Sequence, residues 1–386
     1  MSTSVFADRD VRFGAHAIEL VGAVAGGLGA RRVLLVRGKR SFADSGADRL
    51  LPGLERVAEV EQWSDFAPNT DAADLVVGLR LVERFDPDLI VAVGGGSAMD
   101  MAKLLCAYRG VTDAEELHAR IRAGAAVAER GTRLVLAPTT SGSGSEATHF
   151  AVVYIGDAKF SIAGPGMLPD AVVLDPALTV SGSPYQRATS GVDAIAQAVE
   201  SLWAQGASEA SRDYARAALE LLVPAIEGFV NEPGLGSARP MALGAHLAGR
   251  AIDVSKTTAA HALSYGITKG YGLSHGHAVG VTLGAFIESH AEAADARLQP
   301  GIDAGVHRAV MGEILGAFGA GDGAEARERF DDLMRRVGLK TGLTAAGADT
   351  PQARAALAAG VNVERLGNNP VAYTAEELAL LLRALD

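Results

Sequence analysis

The sequence has one cysteine, Cys106, in 386 residues. No internal disulfide can form, and no multi-thiolate metal site exists. An excess of positive charge is also missing: 35 Lys and Arg stand against 46 Asp and Glu, a formal net charge of −11. That balance argues against nucleic acid or an anionic membrane surface as the main partner. No uninterrupted apolar run of about 18 residues occurs, which excludes an ordinary transmembrane helix. The opening MSTSVFADRDVRFG has no basic segment followed by an apolar one, so no signal peptide is expected and a soluble cytoplasmic protein follows. What is present is apolar character: 48% of the residues are hydrophobic. That suffices for proper cores, and the length is about twice that of a usual domain, so two domains are expected.

The first half alternates strand and helix signals. Residues 32–36 (RVLLV), 58–63 and 88–93 (DLIVAV) read as buried strands, separated by helical spacing over about 48–57 and 71–85. A helix is also expected over 15–27, after a short strand near 11–13. This rhythm means a parallel sheet covered by helices. The third strand ends in VGGGSAMDMAK, with Gly94, Gly95 and Gly96 ahead of Ser97 at a helix start. Such a turn lets backbone N–H groups approach a pyrophosphate at the positive helix end. A second loop, TTSGSGSEAT, follows strand 134–137 and is rich in hydroxyl donors. From about residue 185 helix-period segments dominate. The expected division is an α/β dinucleotide-binding domain over 1–182 and an all-helical metal-binding and substrate domain over 183–386.

The helical half holds three of the nine histidines, His261, His275 and His277, in KTTAAHALSYGITKGYGLSHGHAVG. His261 and Tyr265 share a helix face. His261 and His275 are too far apart on one straight helix to share a ligand, roughly 20 Å. The glycines and the Leu273-Ser274 pair must therefore break it, which lets two imidazoles face one another across a helix pair. Upstream, Asp193 and Gln197 stand four apart in an apolar segment, where an aspartate is costly without a partner. A divalent cation shared by Asp193, Gln197, His261 and His275 would supply one, in an N/O-rich set suited to iron, zinc, manganese or nickel.

Taken together, GGGSAMDMAK, TTSGSGSEAT, LPDAVVLDPALT, GVDAIAQAVES and HALSYGITKGYGLSHGHAVG resemble the iron-dependent (group III) alcohol dehydrogenases, in the same order and over nearly the whole chain. The resemblance implies that family's architecture, akin to dehydroquinate synthase, with the active site in the cleft between the domains. It implies NADH or NADPH bound by Gly94, Gly95, Gly96, Ser97, Asp100, Thr139, Thr140 and Ser143, with Lys159 near the nicotinamide ribose. It also implies one divalent metal, Fe2+ or Zn2+, on Asp193, position 197, His261 and His275, and a homodimer. Two positions depart from the family pattern: Gln197 and Tyr265 stand where histidines are common. Gln is a poorer ligand than imidazole for a borderline metal. Tyr265 keeps a proton-bearing hydroxyl that can serve a proton relay, with His277.

Within the family, ATHFAVVYI, SKTTAAHALSYGIT, SHGHAVGVTLG and VNVERLGNNP are similar to the subgroup that reduces phosphonoacetaldehyde to 2-hydroxyethylphosphonate. A dianionic substrate needs cations and N–H donors. Lys256, His149 and His277 are the candidates, with Lys269 or Arg250 behind them. Gly38, flanked by Lys39 and Arg40, would tolerate a 2′-phosphate and favours NADPH. The alternatives are a general small-aldehyde dehydrogenase of the same fold and a non-catalytic nucleotide-binding regulator.

Overall fold

A computed structural model describes residues 8–385, so the first half of the segment where no leader is expected lies outside the described residues. The chain divides after Gly182 into two compact units. In the first the elements run β1 (Val11–Phe13), α1 (Val21–Gly27), β2 (Arg32–Arg37), α2 (Ser41–Asp44), α3 (Leu51–Leu54), β3 (Glu59–Trp63), α4 (Ala72–Phe85), β4 (Leu89–Gly94), α5 (Gly96–Ala107), α6 (Ala114–Ala123), β5 (Arg133–Pro138), β6 (Phe150–Ile155), β7 (Ala158–Ala163) and β8 (Ala171–Leu174).

Six strands form one sheet in the order β1-β8-β5-β4-β2-β3, every neighbouring pair parallel. The central strands are apolar at nearly every position because both faces are covered. Leu34, Val36, Ile90, Ala92, Leu134 and Leu136 point into one core, which α4 and α5 close. Val33, Leu35, Val91, Val93, Val135 and Ala137 alternate with them and enter the other. Strands β6 and β7 make a separate antiparallel hairpin.

Two expected helices are shorter than their spacing indicates. Residues 15–27 split into a 3-10 turn (Ala17–Leu20) and α1, and the stretch near 48–57 becomes a 3-10 turn (Ala47–Leu50) followed by α3. In the second case Pro52 and Gly53 fall at the start of the helix and limit it to one turn.

The second unit is helical: α7 (Pro184–Trp203), α8 (Glu209–Asn231), α9 (Leu235–Ser255), α10 (Ala259–Tyr271), α11 (His275–Ala291), α12 (Ala304–Ala317), α13 (Gly323–Arg336), α14 (Leu343–Ala346), α15 (Pro351–Ala359), α16 (Val363–Gly367) and α17 (Ala375–Arg383). Helix α9 carries Pro240 inside it, near its start. Helix α7 starts at a Ser183 cap with Pro184 behind it, and from Arg187 onward all but one of its residues are buried. A helix buried all round lies at the centre of its bundle, and α7 packs on α8, α9 and α11. The break expected between His261 and His275 falls at Gly272, left-handed at φ 70°, and Ser274 caps α11. No helix among the described residues is long and apolar enough to cross a membrane.

Candidate metal centre and cofactor loops

In the first unit, the glycine turn and the hydroxyl-rich loop are built against each other. Gly95 caps α5, Thr139 N–H donates to Gly94 O at 2.9 Å, and a Cβ on Gly96 would meet Ser143 Cβ at 3.0 Å. Thr140 lies beside Gly95. The Ser97 hydroxyl accepts from Asn69 N–H at 3.1 Å. One turn into α5, Asp100 is half-buried. Its two oxygens accept from Ser145 Oγ and from Val152 N–H, at 2.5 and 3.0 Å. Burial raises its carboxyl above the ordinary value, and the Lys103 charge works against that rise. Lys103, fully buried, donates to Thr148 O at 2.7 Å and Phe150 O at 2.9 Å. Asp100 and Lys103 therefore brace the second loop against the first. Lys159, on β7, is half-buried and adds its charge to the Asp100 environment. His149 is also half-buried and stands edge-on to the Phe150 ring.

In the second unit, α7 carries Asp193, Gln197 and Glu200 at helical spacing, all three buried. Glu200 was not singled out from the sequence. It is fully buried, and its Oε1 accepts from the N–H groups of Thr258, Ala260 and His261 at 3.2, 3.0 and 3.3 Å, and from Thr258 Oγ1 at 2.8 Å. One carboxylate oxygen thus satisfies donors that the first turn of α10 would otherwise leave unpaired. Its other oxygen, Oε2, takes the hydrogen of His261 Nδ1. The His261 ring is thereby turned so that Nε2 faces Asp193 Oδ1, at 3.3 Å.

His275 reaches the same oxygen from α11, Nε2 to Oδ1 at 3.9 Å. Gly276 makes this approach possible, because a Cβ there would stand 2.0 Å from Thr189 O and 2.8 Å from Asp193 Cβ. Gln197 Nε2 donates to the remaining Asp193 oxygen, Oδ2, at 3.2 Å. One ligand atom from each of Asp193, His261 and His275 lies within 4.8 Å of the others. Burial alone would lower His261, but the charge and hydrogen bond of Glu200, with those of Asp193, outweigh it and lift the imidazole to about 9. A buried imidazole drawn toward a positive charge by two carboxylates is the environment a divalent cation fits, with Nε2 exchanging its proton for the metal.

Around this trio the other expected residues are spread unequally. The Tyr265 ring stacks on His275, centroids 6.2 Å apart and planes 9° from parallel. Its hydroxyl is hydrogen-bonded to Arg365, and burial raises its pKa above the ordinary tyrosine value while Arg365 opposes that rise. Since a guanidinium only donates, the Tyr265 oxygen accepts from it. His277 has both nitrogens engaged, Nδ1 with Tyr185 Oη at 3.2 Å and Nε2 with Lys340 O at 2.9 Å. Burial holds it below the usual imidazole value. Lys256 ends α9 with φ 60°, and its Nζ pairs with exposed Glu364 at 3.2 Å. Among the described residues no hydrogen bond or ion pair joins its ammonium to the trio. Arg365 lies within VNVERLGNNP, a stretch that carries the subgroup resemblance, but nothing local in it ties Arg365 to His261, 104 positions before it. For Glu200 a signal existed: a third polar residue on the Asp193–Gln197 face of an apolar helix.

A family model described as iron-containing alcohol dehydrogenase matches residues 8–176, and one for the C-terminal part of the Fe-containing alcohol dehydrogenase family matches 187–385. The chain is 33% identical over 311 residues to a phosphonoacetaldehyde reductase of Streptomyces viridochromogenes, covering 78% of this chain and 77% of that one. A solved sulfoacetaldehyde reductase from Bifidobacterium kashiwanohense, in complex with NAD+, superposes with a TM-score of 0.87 at 28% identity, covering 98% of this chain and 96% of that one. An iron-containing alcohol dehydrogenase from Thermotoga maritima gives 0.80 at 26% identity, covering 97% of each chain.

Proposed function

The chain belongs to the iron-containing alcohol dehydrogenase family, and within it we propose a reductase of small aldehydes that carry an anionic group, phosphonoacetaldehyde foremost. Its members are enzymes that interconvert aldehydes and alcohols with a nicotinamide cofactor. The observation that carries the reading is the convergence of Asp193, His261 and His275 within 4.8 Å in the matched C-terminal region. Those three would hold the metal. Gln197 would join through Oε1, its amide nitrogen being bonded to Asp193. The chemistry a divalent cation, Fe2+ or Zn2+, would supply there is polarisation of the carbonyl. Gly94, Gly95, Gly96, Ser97, Thr139, Thr140 and Ser143 would hold the dinucleotide, with Asp100 keeping the two loops in place and Lys159 beside them.

A reduced nicotinamide held by those loops would supply the hydride for the aldehyde carbon and leave oxidised, and the protein would supply the proton that completes the alcohol. Tyr265, stacked on His275 with its hydroxyl beside Arg365, would be the group that gives that proton. His277, tied to Tyr185, would take part only by holding the α11 start beside Tyr185. The anionic substrate is supported by the relatives named for phosphonoacetaldehyde and sulfoacetaldehyde. Of the cations expected to meet it, His149 and Lys256 are the weaker candidates, Lys256 because of its Glu364 partner.

NADPH over NADH is supported at Gly38, where a Cβ would stand 2.0 Å from Ser41 Oγ, so no acidic side chain fits. Lys39 pairs with Asp65 at 3.0 Å, which leaves Arg40 and Ser41 to meet a 2′-phosphate. A homodimer is supported by β1, an edge strand with no outer neighbour among the described residues.

The test is NADPH oxidation with phosphonoacetaldehyde, propanal and lactaldehyde, with added Fe2+, Zn2+ or EDTA. A kcat/KM preference of roughly a hundredfold for the phosphonate supports the reading. Equal rates return a general small-aldehyde dehydrogenase. No turnover with any metal returns a nucleotide-binding protein without catalysis.

A further inference from the structure

Helix α16 is short, yet it is held from several directions. Asn362 Oδ1 accepts from Arg365 N–H at 2.9 Å. Asn368 donates to Ser255 O and Thr257 O at 2.8 and 3.0 Å, and its Oδ1 accepts from Gly206 N–H at 2.9 Å. Asn369 donates to Val371 O at 2.8 Å and to His290 Nε2 at 3.0 Å. These bonds tie α16 to the chain leaving α7 and to the loop entering α10, the two helices that carry Asp193 and His261.

The segment therefore presents Arg365 rigidly, half-buried, beside Tyr265, which lies flat on His275. Among the described residues no carboxylate pairs with Arg365. A guanidinium has five N–H donors in a planar fork, and one bond to Tyr265 leaves the others to offer. The trio is enclosed on the Asp193 and His261 side, whose side chains are 10% and 5% exposed, while His275 is 42% exposed. The trio is most open to solvent at His275, on which Tyr265 lies.

We propose that Arg365 is the specificity residue that receives the anionic group of the substrate, a phosphonate, sulfonate or carboxylate a short chain away from the carbonyl. This rests on the reading of the protein as a reductase of anionic aldehydes and names the residue that makes it one. Fork geometry suits two oxygens of one anion, which a lone ammonium does not match. Lys256, a more obvious charge in the sequence, is instead engaged by Glu364.

The experiment compares Arg365→Met, Arg365→Lys and Tyr265→Phe with the wild type, using phosphonoacetaldehyde and propanal. A lost charge-assisted contact corresponds to roughly 10- to 100-fold, so Arg365→Met is expected to lose that much kcat/KM on the phosphonate, chiefly through KM. Its propanal activity falls less than its phosphonate activity, only as far as Tyr265 depends on Arg365, and an unchanged helical signal and Tm show that it folds. Arg365→Lys recovers part of the loss. Tyr265→Phe lowers both substrates alike, which separates direct contact by Arg365 from action through the hydroxyl. Calorimetric binding of methylphosphonate to the protein, read without turnover, weakens about tenfold or more in Arg365→Met. An equal fall on both substrates, or an unchanged methylphosphonate affinity, overturns the assignment. A wild type that shows no preference for the phosphonate sinks the wider reading, and the methylphosphonate affinities then still decide Arg365.

Discussion

The two flanks of the candidate centre are built on opposite plans. On the α7 flank, Asp193, His261 and Glu200 are 10%, 5% and 0% exposed at the side chain, and each is fixed by hydrogen bonds to the others or to the start of α10. On the α16 flank, His275 is 42% exposed, Tyr265 stacks on it, and Arg365 bonds to Tyr265 from a five-residue helix. The enclosed flank gives each ligand one direction and keeps water away, which raises the strength of its electrostatics. The open flank keeps donors at hand for something that arrives. Holding a cation and choosing a substrate are thus assigned to different residues, and a substitution should reveal which task it touches.

Glu200 offers the strongest break. Glu200→Ala strands several buried donors at once and is expected to cost about 3–5 kcal/mol of stability, read as a fall in the urea midpoint. Glu200→Gln keeps an acceptor for the α10 start, but its amide donates toward His261 Nδ1. That forces the hydrogen onto Nε2, the atom that should face the cation. Affinity for Zn2+, measured against a competing chelator, should fall about 10- to 100-fold with the helical signal intact. Unchanged affinity would show that the enclosed flank does not orient His261.

Next in size is Gly276→Ala, whose Cβ would enter the space of Thr189 O and Asp193 Cβ. A loss of about 1–3 kcal/mol is expected, with weakened metal binding because α11 must retreat and carry His275 with it.

A control away from both flanks comes from His290 and His307. Burial lowers both imidazoles below the ordinary value of 6.5, and the His307 charge lowers His290 further. The unfolded chain therefore binds more protons than the folded one below that value. Their contribution is complete above about 6.5 and is lost as pH falls from there toward the folded values. Urea midpoints between about pH 7.5 and 5.5 should decline, and less so in His307→Gln. An equal decline in the variant would contradict this origin.

The smallest effect is expected at Lys256, whose φ of 60° strains a residue with a Cβ. Lys256→Gly should raise stability by about 1 kcal/mol, seen as a higher Tm, with phosphonate activity little changed. A large selective loss would instead restore Lys256 as a substrate contact.

The sequence was most informative where one local pattern determines one local structure. The strand-glycine-helix turn at 93–103 and the helix break at Gly272 both follow from backbone chemistry that neighbouring residues dictate. It was less informative where a side chain acts across the bundle. Asp193 drew attention as a charge among apolar residues, and Glu200, seven positions on, met the same criterion but was passed over. Lys256 drew attention for the same reason, yet its side chain runs outward to Glu364 while the backbone does the buried work. Arg365 had no local cue, because only the packing of α10 on α16 brings it to Tyr265.

The most direct test of this division is kcat/KM for phosphonoacetaldehyde and for propanal in Glu200→Gln and Arg365→Met, across a titration of added Zn2+ or Fe2+. The division predicts that Glu200→Gln loses both substrates together and regains them as metal is raised. Arg365→Met should lose the phosphonate far more than propanal, and no amount of metal should restore it. Loss of one substrate only in Glu200→Gln, or recovery of Arg365→Met by metal, would contradict it.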